Sequence, residues 1–253
     1  MAHVSARRRR EEIVRIATTH GLASVIHLAE KFGVSASTIR RDLAGLESER
    51  QLTRTHGGAM AAHAELSLRQ RSSEAYEAKQ AIARWAASIV EPGESLMLDG
   101  GSTVAALAHE LRNRTEITVT TVSLVVLNVL AGSEQIKVNS LGGTLRPLSQ
   151  AFVGPLAESA LETITFDRAF LGADSVDADL GICEADPEQT RLKELMARRA
   201  SNLYVMAHAA KLGKRPFHAW AKLHSPWTLV TDGSDEDVEP FRRRGINVVQ
   251  VPS

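Results

Sequence analysis

Two stretches of the 253-residue chain combine residue types that bind anions. In the first, Arg40 and Arg41 lie beside hydroxyl side chains. Arg can bind guanine or phosphate through two parallel hydrogen bonds, and hydroxyls can contact phosphate or a base edge. The second is the run Asp99-Gly100-Gly101-Ser102-Thr103, whose glycines let the backbone approach an anion closely. The sequence therefore predicts two sites for negatively charged partners.

A helix-turn-helix pattern surrounds the arginine pair. Ser24 can cap a first helix with apolar residues at three- and four-residue spacing, and Gly33 suits the left-handed turn that ends it. Ser35 opens a second helix whose apolar residues Ile39, Leu43 and Leu46 share one face. The residues predicted to contact DNA from this second helix are Ser35, Ser37, Thr38, Arg40 and Arg41.

The segment from Leu52 to Gly58 alternates in the manner of a short hairpin and ends in a glycine pair. A hairpin at this position is typical of a wing, so Arg54 and His56 join the predicted DNA contacts. Exposed arginines on a surface helix are by themselves usually solvated. The preceding helix, the glycine turn and the wing together favour DNA binding over that interpretation.

From Lys79 onward, helical stretches alternate with short apolar strands, which predicts an α/β domain with a mainly parallel sheet. The helix 79–90 leads into a strand ending at Asp99, and the run 104–111 is again helical. Further strands are expected at 117–121, 136–141, 169–172, 203–207, 228–231 and 248–251. The predicted organisation is a DNA-binding domain over residues 1–60, a linker over 61–78 and an α/β sensing and oligomerisation domain over 79–253.

The formal net charge of zero conceals an asymmetry, because the first 60 residues hold ten basic and six acidic side chains. The run Arg7 to Arg10 is interpreted as the start of a helix with an auxiliary phosphate contact; a solvated surface or an import-like signal are the alternatives. The single cysteine, Cys183, excludes an internal disulfide, and no apolar stretch is long enough to span a bilayer. We expect a cytoplasmic protein that binds no metal and no cofactor.

The run STIRRDLAGLESERQLTRTHGGA resembles the N-terminal signature of the DeoR family of bacterial transcriptional regulators, and the resemblance continues through the C-terminal half. It implies a multidomain fold: an N-terminal winged helix-turn-helix and a C-terminal α/β effector domain related to sugar-phosphate isomerases. It also implies a homodimeric or homotetrameric repressor of carbohydrate metabolism genes. Such a repressor binds double-stranded operator DNA under the control of a phosphorylated sugar.

In open parallel sheets ligands bind beyond the carboxyl ends of the strands, which directs attention to the loops that follow them. The DGGST run resembles the phosphate loop of the family, although a strand-to-helix turn can need the same residues for structural reasons. Lys193 could equally be a solvated charge on a helix, and only the resemblance favours a role for it in effector binding. The residues predicted to bind the effector are Asp99, Gly100, Gly101, Ser102, Thr103, Thr121, Gly142, Gly143, Asp174, Glu184, Lys193 and Lys211.

Two departures from the family pattern concern the effector. Val122 stands where relatives commonly have Asn, and His208 stands where they commonly have Asp, so an amide and a carboxylate are lost. His208 could instead be a satisfied core residue. The alternative function is a sugar-phosphate isomerase with a DNA-binding appendage, for which Asp99, Asp174 or Glu184 would be the general base. A purely interaction-based role, with no effector at all, is a third possibility.

Overall fold

A computed structural model of the chain describes residues 5–20, 23–49, 52–55, 58–61, 65–224 and 226–252, with only the backbone at 17–20, 23, 53–55 and 58–61. The chain divides into two compact units, Met1–Ser67 and Leu68–Ser253. Each unit buries its own hydrophobic core. Among the described residues, no helix has both the length and the apolar character needed to cross a membrane.

The N-terminal unit is a winged helix-turn-helix, as predicted. Its strands form an antiparallel sheet in the order β1-β3-β2, and the β2-β3 hairpin is the wing. Apolar residues from all three helices and from β2, among them Ile13, Leu28, Leu43 and Leu52, form its core. The elements are α1 Ala6–His20, β1 Ala23–Ser24, α2 Val25–Phe32, α3 Ala36–Ser48, β2 Leu52–Thr55 and β3 Gly58–Ala61.

The helix-turn-helix has the predicted capping and turn residues at two of three positions. Gly33 adopts a left-handed conformation with φ of 61°, which a residue with a Cβ rarely tolerates. The Ser35 hydroxyl accepts a hydrogen bond from the backbone N–H of Thr38 at 3.2 Å and so caps α3. Ser24 occupies the N-cap position of α2, but its side chain forms no capping hydrogen bond.

In the C-terminal unit, seven of the described strands form one parallel sheet, in the order β15-β14-β12-β9-β4-β5-β6, which confirms the predicted fold class. Its elements are α4 Leu68–Ser73, α5 Tyr76–Ser88, β4 Ser95–Leu98, α6 Ser102–Leu111, β5 Ile117–Thr121, α7 Leu124–Leu130, β6 Ile136–Ser140, β7 Thr144–Arg146, β8 Ala151–Val153, α8 Pro155–Leu161, β9 Phe166–Leu171, β10 Ser175–Asp177, β11 Gly181–Glu184, α9 Pro187–Arg198, β12 Ala200–Met206, a 3₁₀ turn Ala209–Lys211, β13 Ala219–Ala221, β14 Thr228–Thr231, α10 Asp235–Arg243 and β15 Asn247–Gln250.

The parallel sheet is covered on both faces, so its central strand β4 buries apolar side chains on both sides. On β4, Leu96 and Leu98 face a core formed with α5 and α6, while Met97 faces a second core formed with α8 and α9. The successive side chains alternate because a strand directs neighbouring residues to opposite faces. The result is a three-layer arrangement of helices, sheet and helices.

Two smaller antiparallel sheets, which the sequence did not predict, cover part of this unit. One is the β7-β8 hairpin, and the other has the order β10-β11-β13. The unit also begins at Leu68, earlier than the predicted start at residue 79. Leu68 is buried and its N–H donates to the carbonyl of Leu148 at 2.8 Å, so this part of the predicted linker packs on the domain.

Candidate functional site

The outward face of α3 presents the side chains predicted to contact DNA. Ser37, Arg40 and Arg41 are exposed, whereas Ile39 and Leu43 are fully buried beneath them. Because the buried face fixes the rotation of the helix, the two arginines are held toward solvent. Free arginine side chains at the N-terminal half of a recognition helix have the reach and charge to contact base edges and phosphates.

A buried ion cluster behind this face was missed by the sequence analysis. Asp42 is buried in α3, and its carboxylate accepts from Arg9 at 2.6 Å and from Arg10 at 3.2 Å. Arg9 is itself buried, so within the run Arg7 to Arg10 this residue anchors α1 to α3 rather than forming a phosphate-contacting arm. Asp42 directly precedes the core residue Leu43 in the sequence, and this position was the one sign of the cluster. A carboxylate that is buried beside a core residue needs a cationic partner.

The wing residues stay as predictions. Arg54 belongs to β2, but its side chain lies outside the described part of the chain. His56 lies outside the described residues altogether.

In the C-terminal unit, the loops that follow β4 and β9 meet at the centre of the sheet. From β4 the chain continues outward through β5 and β6, then returns to β9 on the other side of β4 and continues to β12. This reversal is the topological switch point at which open α/β sheets bind ligands. Asp99 and Gly172 follow the two strands, and the Gly172 N–H donates to the Asp99 carboxylate at 3.0 Å.

The glycine-rich run after β4 leads into the N-terminus of α6. Gly101 has φ of 124°, a conformation that favours glycine, and it precedes a helix that no side chain caps. The first N–H groups of α6 therefore have no partner within the helix, and they carry the positive end of its dipole. A phosphate group is a suitable acceptor for them.

Beneath this loop, Lys193 lies between two buried carboxylates. Its Nζ forms a salt bridge with Asp99, lies 3.1 Å from Glu184 Oε1 and donates to the carbonyl of Gly172 at 2.9 Å. Burial opposes the charge, but the two carboxylates outweigh it and raise the pKa of Lys193. Burial raises the pKa of Glu184 to about 8, which Lys193 only partly offsets. Lys193 is therefore a buried cation and not a solvated helix charge.

A small cavity, partly open to solvent, lies above these groups. We call it the sensor cavity. On its wall, Arg71 of α4 forms a buried ion pair with Asp174 at 2.7 Å. The residues that line it are Arg71, Gly100, Gly101, Ser102, Thr103, Ser149, Gly172, Ala173, Glu184, Gln189, Lys193 and Lys211.

Lys211 differs from the other two cations of the sensor cavity. Its Nζ donates to the carbonyl of Ala173, and among the described residues it forms no ion pair with a carboxylate. Burial lowers its pKa; the nearby Arg71 and Lys193 contribute in the same direction, and Asp174 and Glu184 only partly oppose them. An incoming anion would reverse this effect, because an opposite charge favours the protonated amine.

Five predicted effector residues are not among the described residues that line the sensor cavity: Asp99, Thr121, Gly142, Gly143 and Asp174. The Thr121 hydroxyl donates to the carbonyl of Leu98 at 2.6 Å and joins β5 to β4. Gly142 and Gly143 instead form the turn into β7. A Cβ on Gly143 would lie 2.5 Å from the carbonyl oxygen of Val153, so glycine is needed there for packing. Asp99 and Asp174 lie behind the wall, each paired with a cation.

Three polar residues of the wall were not predicted from the sequence: Arg71, Ser149 and Gln189. Arg71 lies in the segment predicted to be a linker, Ser149 in the unpredicted β7-β8 loop, and Gln189 on a helix that shows no local sign of a pocket. The buried Arg71 follows the apolar Leu68 at helical spacing, which was the one available signal.

The two departures from the family pattern lie outside the wall. Val122 is buried in the apolar core, and its carbonyl accepts from the Phe152 N–H at 2.7 Å. His208 is buried after β12, where burial, Lys211 and Lys79 lower its pKa to about 4. Its imidazole is therefore neutral at neutral pH and adds no charge beside Lys211.

Comparison with protein families divides the chain in the same order as the fold. Residues 9–65 match the DeoR-like helix-turn-helix domain, and residues 74–233 match the DeoR C terminal sensor domain.

Similar proteins cover nearly the whole chain. The HTH-type transcriptional regulator YulB of Bacillus subtilis is 35% identical, covering 96% of both chains. GlpR, an HTH-type transcriptional regulator of Haloferax volcanii, is 33% identical over 95% of this chain and 96% of its own. The lactose phosphotransferase system repressor of Streptococcus mutans is 33% identical over 90% and 93%. Among solved structures, ribose 5-phosphate isomerase A of Methanocaldococcus jannaschii is 20% identical over 55% and 56%, with a TM-score of 0.42, a likeness too low to bear on function.

Proposed function

Because this chain belongs to the DeoR family of transcriptional regulators, we propose that it represses genes of carbohydrate metabolism and releases its operator when a phosphorylated sugar binds the sensor cavity. The name of the lactose phosphotransferase system repressor supports the link to sugar metabolism. The DNA contacts would come from the exposed face of α3, with the wing residues Arg54 and His56 beside it. A homodimer or homotetramer would place two recognition helices about one DNA turn apart.

The chemistry of the sensor cavity carries the proposal for the effector. An uncapped helix N-terminus and the amine of Lys211 meet at the switch point of the sheet, and both favour an anion. Lys211 has no carboxylate partner among the described residues, so its charge is available to a ligand. We assign the phosphate group to the loop of Gly100 to Thr103 and to Lys211.

Control of DNA binding requires that the effector prefer one arrangement of the oligomer, since equal affinity for both would shift nothing. Arg71 is a suitable link, because it lines the sensor cavity from α4, the first helix after the DNA-binding unit in sequence. An anionic ligand would compete with Asp174 for its guanidinium group.

We propose that the sensor cavity does not catalyse sugar isomerisation. A general base must be free to take a proton, but Asp99 is paired with Lys193 and Asp174 with Arg71. Glu184 shares Lys193 with Asp99. A coupled assay of aldose and ketose interconversion should show no turnover; turnover that disappears in Glu184→Gln would contradict this.

The test of the proposed function combines ligand binding and DNA release. The ligands are glycerol 3-phosphate, ribose 5-phosphate, glucose 6-phosphate and fructose 1,6-bisphosphate, each with its unphosphorylated parent. The DNA is a duplex selected by the wild-type protein from random sequences. We expect at least one phosphate ester, but not its parent, to raise the melting temperature and to release the duplex in a gel shift.

Lys211→Met, compared with the exposed Lys222→Met, tests the assignment of the phosphate site. The first variant should lose about a factor of ten or more in ligand affinity while still binding DNA, because charged hydrogen bonds contribute about 1.5–3 kcal/mol. Equal ligand affinity in both variants would contradict the assignment, and no response of the wild type to the whole panel would contradict the proposed function.

A further inference from the structure

Two polar side chains of the sensor cavity have atoms that are buried and lack a hydrogen-bond partner in the described part of the chain. They are Ser149 Oγ and Gln189 Oε1. The two residues are only 2% and 7% exposed. Folded proteins satisfy nearly all buried polar groups, since each unpaired one is destabilising, and such a group in a pocket wall indicates a missing partner.

Hydrogen bonds and an ion pair fix the backbone on which both side chains stand. Ser149 lies in the β7-β8 loop, which is fixed by hydrogen bonds from Gln150 N–H to the carbonyl of Arg146 at 2.8 Å and from Leu68 N–H to that of Leu148. Gln189 lies in the first turn of α9, where the Asp186 carboxylate accepts from its backbone N–H at 3.0 Å. Asp186 also forms an ion pair with Arg146 at 3.1 Å, which joins the hairpin to the helix. The unpaired atoms therefore cannot be ascribed to loose loops.

The neutral character of these two groups distinguishes them from the charged side chains of the wall. Lys193 and Arg71 are paired with protein carboxylates, and Lys211 has the charge that suits a phosphate. A hydroxyl and an amide instead match neutral groups that both donate and accept, and the hydroxyls of a sugar are such groups.

We propose that Ser149 and Gln189 bind free hydroxyl groups of the effector, so that the sensor selects a polyol phosphate over a phosphate ester without hydroxyls. This assignment rests on the proposed function and adds the part of the ligand that the phosphate site does not recognise. A ligand without hydroxyls would leave both groups unpaired, and sites of this kind reject such analogues strongly.

The test uses Ser149→Ala and Gln189→Met in the full chain, with the exposed Ser201→Ala and Gln135→Met as matched controls. Both test variants remove an unpaired buried polar atom, so they should melt at a temperature no lower than the wild type. A fall of several degrees relative to the controls would show that these groups support the fold, and would overturn the assignment.

Calorimetric titration then compares the tightest-binding phosphate ester of the panel with propyl phosphate, which has no hydroxyl. The wild type should prefer the polyol phosphate by about tenfold or more, since two hydrogen bonds contribute about 0.5–1.5 kcal/mol each. Each test variant should lower this preference about threefold or more through weaker polyol binding, with propyl phosphate affinity unchanged.

The outcomes separate the two proposals. If the wild type binds polyol phosphates but the test variants keep its preference, only the hydroxyl assignment fails. If the wild type prefers propyl phosphate or binds both esters equally, the hydroxyl assignment also fails while the phosphate site stands. If the wild type binds no ester of the panel, the proposed function fails and the hydroxyl assignment fails with it.

Discussion

Both units of the chain bury polar and charged side chains, yet they differ in how completely the protein satisfies them. In the N-terminal unit, Asp42 binds Arg9 and Arg10 and ties α1 to α3. In the C-terminal unit, Lys193 binds Asp99 and Glu184, but Ser149 and Gln189 nearby have buried atoms with no partner among the described residues.

Under the proposed function, this difference separates a structural ion cluster from a ligand-binding site. A buried charge that the protein pairs fully fixes one helix on another and leaves nothing for a ligand. A buried network that stops short of pairing every polar group is destabilising until a ligand completes it. By this criterion the N-terminal cluster supports the exposed arginines of α3, whereas the C-terminal network forms part of the sensor cavity.

Removal of Lys193 should have the largest effect. Lys193→Met leaves Asp99 and Glu184 buried without their cation, which should lower the free energy of unfolding by about 3–5 kcal/mol. Urea unfolding followed by tryptophan fluorescence reports on this unit alone, because Trp85, Trp220 and Trp227 all lie in it. The exposed Lys137→Met is the control. Equal stability of the two variants would contradict a structural role for the network.

Removal of Asp42 tests the other cluster. Asp42→Ala leaves Arg9 buried without its carboxylate and should destabilise the N-terminal unit by about 2–3 kcal/mol. The loss should appear in the helical circular dichroism and in weaker DNA binding, while the tryptophan transition and ligand affinity stay unchanged. Glu30→Ala, an exposed acidic position on α2, should show none of this. A loss of ligand affinity in Asp42→Ala would undo the distinction between the two clusters.

The exposed face of α3 is tested by Arg41→Ala. If Arg41 contacts a base, its loss should weaken binding to the selected duplex by about 1–3 kcal/mol in a gel shift. Arg41→Lys keeps the charge without the planar fork, so it should recover only part of the affinity. The exposed Arg112→Ala in the other unit should bind as the wild type does; unchanged affinity in Arg41→Ala would refute the base contact.

The smallest expected effect concerns pH. Burial raises the pKa of Glu184 to about 8; Asp174 and Asp99 act in the same direction, and Lys193 and Arg71 oppose the rise. The proton of Glu184 is held below this pH and lost above it, which adds negative charge to the sensor cavity. Anion affinity should therefore fall about threefold to tenfold as pH rises through about 8.

Glu184→Gln isolates this contribution, because Lys79, whose pKa burial lowers to about 8, and Lys211 lose positive charge in the same direction. Titrations of the wild type and the variant at about pH 7 and pH 9 should show a shallower fall in the variant. Parallel curves would assign the pH dependence to the lysines.

Features that depend on residues close together in the sequence could be predicted, whereas contacts between distant residues could not. The helix-turn-helix, the wing and the DGGST loop depend on neighbours within a few residues, so Gly33, Ser35 and Gly101 were identified correctly in their local roles. Gly142 and Gly143 also follow a strand and were predicted to bind the effector, but the close approach of Val153 requires the glycine at position 143 for packing.

The sequence by itself determined the fold class, the recognition helix and the glycine-rich turn before α6, because each follows from periodicity, capping and backbone freedom along one segment. Only the tertiary structure decided which charges are paired. Asp42 meets Arg9 across 33 positions, Lys193 meets Asp99 across 94, and Arg71 meets Asp174 across 103. The physical reason is that burial and pairing arise when distant segments pack together, and no local pattern encodes which cation reaches which carboxylate.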